Sequence, residues 1–327
     1  MKVSVVGSGA WGTALAKVLT QKGQQVTMWG RDAKQLDAMR EFGYNQRYLP
    51  SAPLGPLWDL TPDLDDALAD AEAIIVAVPS HAFREIAVHL GSFAGLAVSA
   101  TKGIEHGSGL TMTGILQATM PHARPVALSG PTLADEVMRS IPTAVVAAAD
   151  HDVDAALVQQ MFHLPHFRVY SSSDRIGVEL GGALKNVIAI AAGVCVGLGL
   201  GYNSKAALVT RGMAEMRRLG VHLGGSPETF GGLSGLGDLM VTCFSSLSRN
   251  RCFGERLGAG ASLQSLLDER VSVVEGYYAV RSAMQMIEKA SLDAPIHQEV
   301  HAMLYEGKPA AEAMRNLLAR EARQESD

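Results

Sequence analysis

The chain has 327 residues, enough for two domains with sizeable cores, and 47% of them are apolar, which excludes a disordered polymer. Its formal net charge is −5 with both signs scattered along the chain, so the broad basic surface of a general nucleic-acid binder is absent, while a local basic pocket for a small anion is compatible with it. Cys195, Cys243 and Cys252 are odd in number, widely spaced and form no C-x-x-C, which argues against a disulfide framework or a cysteine zinc site and fits a reducing cytoplasm.

The first predicted strand, Val3–Val6, starts close to Met1, so no signal peptide is expected. It runs into Gly7-Ser8-Gly9-Ala10-Trp11-Gly12, the spacing G-x-G-x-x-G, and then into the helical stretch Thr13–Leu19. Gly7 permits a tight turn, Gly9 lets a pyrophosphate approach the backbone, and Gly12 lets the helix pack on the strand. A glycine loop without ligand is the plain alternative; the strand before it and the helix after it favour a dinucleotide. Further strands are expected at Val26–Trp29, Ile74–Val78, Leu96–Ala100, Val126–Leu128 and Thr143–Ala148, with helical stretches between several of them. This alternation implies an α/β fold: a parallel, doubly wound Rossmann-type sheet with ligands beyond the carboxyl ends of its strands.

The second strand ends at Trp29. Gly30 stands where an NAD site usually places the acid that binds the ribose 2′-hydroxyl, and Arg31 follows. An arginine there suits a 2′-phosphate, so NADP(H) is favoured and NAD(H) is usable, although Asp32 complicates the reading. Polar groups close other strands: Val78-Pro79-Ser80-His81, Thr101-Lys102-Gly103 and Ser129-Gly130-Pro131-Thr132. His81 reads better as a packing histidine than as a base, and Lys102 alone would pass for a surface lysine.

Near Ser171 the pattern changes. Ser171-Ser172-Ser173-Asp174 offers helix-capping chemistry, and Ile176, Leu180, Leu184, Val187, Ile188 and Ala191 recur at helical spacing. No convincing strand follows. The expected division is a dinucleotide-binding domain over 1–172 and an all-α substrate domain over 173–327. The longest apolar run, Val187–Tyr202, has 16 residues and four glycines, short of the roughly 20 needed to span a bilayer, so it reads as a buried core helix with no membrane insertion. Lys185 sits at the edge of this run, where a lysine must reach solvent, pair with an anion or lower its pKa; snorkelling is the ordinary explanation. Asp238 and Thr242 are four apart, hence on one helix face; Asp238 reads either as a partner for a catalytic lysine or as an N-cap. Ser248-Arg249-Asn250 combines a planar cation with two donors, as a phosphate site does, or is simply an exposed charge cluster. Val271–Tyr277 has no reading of its own.

In this order the segments resemble the bacterial-type NAD(P)-dependent glycerol-3-phosphate dehydrogenases, nearly end to end. The match includes Thr210-Arg211-Gly212-Met213-Ala214-Glu215 and Val274-Glu275-Gly276, and it is made specific by Leu184-Lys185-Asn186-Val187-Ile188, Gly235-Leu236-Gly237-Asp238-Leu239 and Ser248-Arg249-Asn250. The resemblance implies reduction of dihydroxyacetone phosphate, with Lys185 as proton carrier, Lys102 beside the nicotinamide, and Asp238 and Thr242 completing the polar network. It implies substrate contacts from Lys102, Gly130, Thr132, Lys185, Asp238, Ser248, Arg249 and Asn250. Cofactor contacts would come from Gly7, Gly9, Ala10, Trp11, Gly12, Arg31, Lys102, Ala134, Arg249, Val273 and Glu275. No metal is expected, the location would be cytoplasmic, and a homodimer is compatible with the family. Asp135 departs from the pattern, where relatives often carry lysine. A 3-hydroxyacid or 6-phosphogluconate-type dehydrogenase and a non-catalytic nucleotide-binding sensor are the alternatives.

Overall fold

The computed structural model describes residues 1–54, 58–269, 274–321 and 324. Among these residues, ten strands precede position 173: β1 Lys2–Val6, β2 Gln25–Trp29, β3 Tyr44–Asn45, β4 Leu49–Pro53, β5 Trp58–Thr61, β6 Ala73–Val76, β7 Leu96–Ser99, β8 Arg124–Ser129, β9 Thr143–Ala148 and β10 Phe167–Ser172. Eight form one sheet in the order β10-β9-β8-β7-β6-β1-β2-β5, and β3 with β4 makes a separate hairpin. All neighbours in the large sheet run parallel except β8 and β9. The order reverses beside β1, so the crevice past β1 and β6 is where ligands of such sheets bind.

All six strands expected from the sequence are present, Thr143–Ala148 with the same bounds and the others with ends shifted by at most two residues. One departure is the antiparallel β9. The chain leaves β8 through the short helix Ala134–Met138, which packs on helix Ala10–Gln21 and is held by Lys17 Nζ on Met138 O at 2.7 Å. That path never returns to the amino end of the sheet, so β9 must run backwards. The edge strands β5 and β10 were not foreseen. In β10 only Phe167 and Val169 are buried while Arg168 and Tyr170 face out, a pattern too short to separate from a loop. Ser171 and Ser172 belong to that strand, and Asp174 alone caps the next helix, accepting from Gly177 N at 2.9 Å.

Among the described residues after 173 the elements are helical. The central one is Arg175–Gly197, in which Leu180, Leu184, Val187, Ile188 and Ala191 are all buried, whereas Ile176 is exposed. It is long and apolar enough to cross a membrane, but 89% of its most apolar window is buried by its neighbours. One neighbour is the helix Arg249–Gly258, and the two touch through glycines on both sides. A Cβ on Gly193 would lie 2.0 Å from Arg251 O, and one on Gly197 2.1 Å from Glu255 O. In return, Cβ atoms on Gly254 and Gly258 would lie 2.0 Å from Ile190 O and 2.6 Å from Val194 O. Backbone therefore meets backbone along the seam. Gly254→Ala is expected to lower stability by about 3 kcal/mol, because overpacking of this kind must move a helix. A thermal melt within a degree of the parent would contradict the seam.

Among the described residues, several polar contacts outside the lysine cluster tie the sheet and the helices together. Glu179 accepts from Thr113 N at 2.8 Å and from Thr113 Oγ1, while Arg175 reaches Asp150 at 2.9 Å. Gln285 exchanges two 2.9 Å bonds with the backbone of Gly107, and Ser282 Oγ donates to Ile104 O. Ser80 donates to Glu275 through its N–H at 3.3 Å and its hydroxyl at 2.5 Å.

Candidate active site

Lys185 is not at the start of its helix but three turns in, on the face turned toward the sheet's carboxyl edge. The small Gly181 and Gly182 one turn before it make room. A Cβ on Gly182 would meet Ser129 Oγ at 2.6 Å and Lys102 Cγ at 3.3 Å. Lys185 Nζ donates to Asp238 Oδ1 at 2.5 Å and to Thr242 Oγ1 at 2.6 Å. An ammonium has three hydrogens, so one is left for a ligand. Asp238 is the first residue of the helix Asp238–Phe244, not its cap, which puts Asp238 and Thr242 on the same buried face.

The other oxygen of Asp238 faces Lys102 Nζ at 2.6 Å. Lys102 lies beyond β7, in a turn braced by Thr101 Oγ1 on Val78 O at 2.7 Å. Its ammonium also donates to Gly130 O at 3.0 Å and lies 3.4 Å from Thr132 Oγ1. One carboxylate thus bridges two lysines, one from the sheet and one from the helical half. Burial brings the Lys185 ammonium down to about 8; the Asp238 carboxylate works against the shift, and the charge of Lys102 adds to it.

Ser248 caps the helix Arg249–Gly258, accepting from Arg251 N at 3.3 Å. Arg249 is the exposed first residue of that helix. Asn250 is largely committed: its Nδ2 donates to Asn186 Oδ1 at 2.9 Å and its Oδ1 accepts from Gly276 N at 2.9 Å. One hydrogen of its amide stays available. The chain of contacts Asn186, Asn250, Gly276 fixes the start of this helix against the residue after Lys185 and against the residue after Glu275. Burial raises the Glu275 carboxyl above its ordinary range, opposed by the Ser80 hydrogen bonds and by the charge of Arg249. Asp135 pairs with Arg139 at 2.8 Å, one turn along the helix Ala134–Met138.

On the sheet side, Gly7 has φ 125°, a region open to glycine, and its Cβ would strike Ala77 O at 2.5 Å. A Cβ on Gly12 would lie 2.0 Å from Gly7 O, whereas Gly9 has open space where a side chain would point. The open space over Gly9 lies at the start of helix Ala10–Gln21, where the free N–H groups of a helix can meet an anion. Trp11 and Ala134 are half-buried beside this turn, and Arg31 is exposed past β2. Val273 lies outside the described residues. Lys102, Gly130, Thr132, Lys185, Asp238 and Thr242 are therefore brought together directly, with Asn250 bonded to Asn186 next along the chain from Lys185, while Arg31 stands apart at the β2 end.

Two features escaped the sequence reading. Ser80 turns out to be the partner of Glu275, a pairing across 195 positions that no local pattern signals. Asn45, fully buried where β3 enters the hairpin turn, donates to Ser8 O at 3.0 Å and to Thr13 Oγ1 at 2.8 Å, and Gln35 donates to the same carbonyl at 2.8 Å. Together they hold the glycine turn from behind. An amide in an irregular segment leaves no periodic trace.

Comparison with known proteins covers both halves. The family model for the NAD-dependent glycerol-3-phosphate dehydrogenase N-terminus matches residues 2–155, and that for the C-terminus matches residues 174–315. The glycerol-3-phosphate dehydrogenase [NAD(P)+] of Geobacter sulfurreducens is 43% identical over 99% of this chain and 98% of its own length. That of Chlorobium luteolum is 44% identical over 100% of both chains. A crystal structure of the glycerol-3-phosphate dehydrogenase from Coxiella burnetii superposes with a TM-score of 0.94 at 37% identity, covering 98% of this chain and 99% of that one.

Proposed function

The chain belongs to the NAD-dependent glycerol-3-phosphate dehydrogenase family, and on that premise we propose how its own residues carry the reaction. It is an oxidoreductase that reversibly reduces dihydroxyacetone phosphate to sn-glycerol 3-phosphate, the backbone of glycerophospholipids, with NAD(P)H. Neither the hydroxyacid or phosphogluconate reading nor the sensor reading is favoured by these matches.

The reading rests on one observation: Asp238 bridges Lys102 and Lys185 at 2.6 and 2.5 Å, with Thr242 completing the shell of Lys185. When bound, the nicotinamide supplies the hydride that reaches C2 of the ketone. Lys185 holds the carbonyl oxygen with its remaining hydrogen and gives it the proton. Lys102 places a second positive charge where the alkoxide develops. Asp238 and Thr242 fix the direction of the Lys185 ammonium. Gly130 and Thr132 border the substrate at the mouth of β8. Ser248, Arg249 and Asn250 seat the phosphate, whose binding energy then orients the reacting carbon. Gly7, Gly9, Ala10, Trp11 and Gly12 cradle the pyrophosphate, with Ala134, Val273 and Glu275 along the remaining length of the cofactor. NADPH is preferred and NADH accepted, supported by Gly30 and Arg31 after β2.

The domain boundary is placed between residues 172 and 173, supported by the end of β10 at Ser172 and the cap at Asp174. A cytoplasmic location is supported by the free cysteines and the enclosed core helix. A homodimer is proposed on the resemblance and is tested by sedimentation velocity.

The assay that tests the function is reduction of dihydroxyacetone phosphate with NADPH and, in parallel, with NADH. Arg249→Ala is expected to raise KM for the ketone phosphate by at least about tenfold, the worth of a charge-assisted phosphate contact. An unchanged KM would remove Arg249 from the phosphate seat.

A further inference from the structure

The β3–β4 hairpin is anchored where it turns: Asn45, paired with Leu49 across the turn, is bonded to the glycine turn at Ser8 and to Thr13, while the next two residues are exposed. Two residues on, Arg47 extends toward the end of β2. Its Nη1 lies 3.5 Å from Asp32 Oδ2, and its guanidinium stands over the Tyr48 ring, 5.2 Å from the centroid. Asp32 directly follows Arg31, and its Oδ1 accepts from Gln35 N at 3.3 Å as the cap of the helix Ala33–Phe42. The helix thus fixes the carboxylate in place, and the arginine is the partner that can move.

The end of β2 is where the adenosine ribose lies in a sheet of this kind. A carboxylate there suits a 2′-hydroxyl and repels a 2′-phosphate. Arg31 alone would have to overcome that repulsion. Arg47 changes the balance, since its charge is already directed at Asp32. Both partners are about half exposed, at 54% and 44%, so their pairing contributes little and exchanging it costs little. An arginine–phosphate contact is far stronger.

We propose that Arg47 and Asp32 form a cofactor-discriminating pair: Asp32 accepts the 2′-hydroxyl of NADH, and Arg47 leaves Asp32 to join Arg31 on the 2′-phosphate of NADPH. The pair accounts for one site serving both nucleotides. It rests on placing the dinucleotide along the glycine turn and β2.

The test is equilibrium binding of NADPH and NADH, read by nicotinamide fluorescence without turnover. Arg47→Ala is expected to weaken NADPH about tenfold and to leave NADH within about threefold, the difference made by one charge-assisted phosphate contact. Asp32→Asn is expected to do the opposite, weakening NADH and sparing NADPH. An Arg47→Ala variant whose NADPH-to-NADH ratio stays within about twofold of the parent overturns the pair, since any real phosphate contact exceeds that. If only Arg31→Ala loses NADPH, the pair is wrong and the NADPH preference stands. If the parent itself favours NADH, that preference is wrong, and the shift of the ratio in Arg47→Ala still decides the pair.

Discussion

Lys185→Ala is expected to lose turnover by about 10²–10⁴, the usual worth of a positioned acid–base group, while the dissociation constant for NADPH stays unchanged. The two effects separate because Lys185 belongs to the helical half, whereas the proposed pyrophosphate cradle belongs to the sheet. The fold should survive, since Asp238 retains Lys102 at 2.6 Å after the substitution. The pH dependence carries the same assignment. Reduction needs the protonated ammonium, so kcat/KM for dihydroxyacetone phosphate is flat at low pH and falls as pH rises through about 8. Oxidation of glycerol 3-phosphate needs the neutral amine, so its kcat/KM rises toward that value and levels above it. Both inflections disappear in the variant. Near-normal turnover in Lys185→Ala, or a parent profile with no inflection near 8 in either direction, removes Lys185 from its role.

Asp238→Ala attacks the same site through its counter-charge. The carboxylate is fully buried and holds two ammonium groups, so its removal leaves Lys102 and Lys185 facing each other without an anion. Breaking a buried pair by deleting one partner costs about 3–5 kcal/mol, moderated here because either lysine can shed its proton. A drop in melting temperature is therefore expected together with a loss of at least about a hundredfold in kcat. The diagnostic readout is the inflection: without Asp238 the Lys185 proton is held less well, so the inflection moves to lower pH. A variant that melts early but keeps the parent inflection would make Asp238 structural only.

Much of this arrangement was legible in the chain. The central strands β1, β6 and β7 announced themselves because parallel strands in mid-sheet are buried on both faces and so are written as apolar runs, as in Ala73-Ile74-Ile75-Val76. Asp238 and Thr242 share a face by arithmetic. What stayed hidden was of two kinds. Edge elements such as β5 and β10 bury only one face, and their short alternations are lost among loops. Long-range polar pairings, such as Ser80 with Glu275 or Asn45 with Ser8, depend on which loops the fold brings together. The bridge from Lys102 to Asp238 is of this second kind. Each residue could be singled out alone, but only the fold makes one carboxylate serve both lysines.

The glycine seam between the helices Arg175–Gly197 and Arg249–Gly258 has a bearing on substrate length. Lys185 rides on the first helix, and Ser248-Arg249-Asn250 opens the second. With backbone pressed on backbone at Gly193, Gly197, Gly254 and Gly258, no side chain between them can rotate to widen the gap. On the proposed reading, the span from proton carrier to phosphate seat is thus a ruler cut in main chain. A ketone phosphate one carbon longer would have to be met by the side chains of Lys185 and Arg249 themselves, because the helices that carry them are held at a fixed spacing.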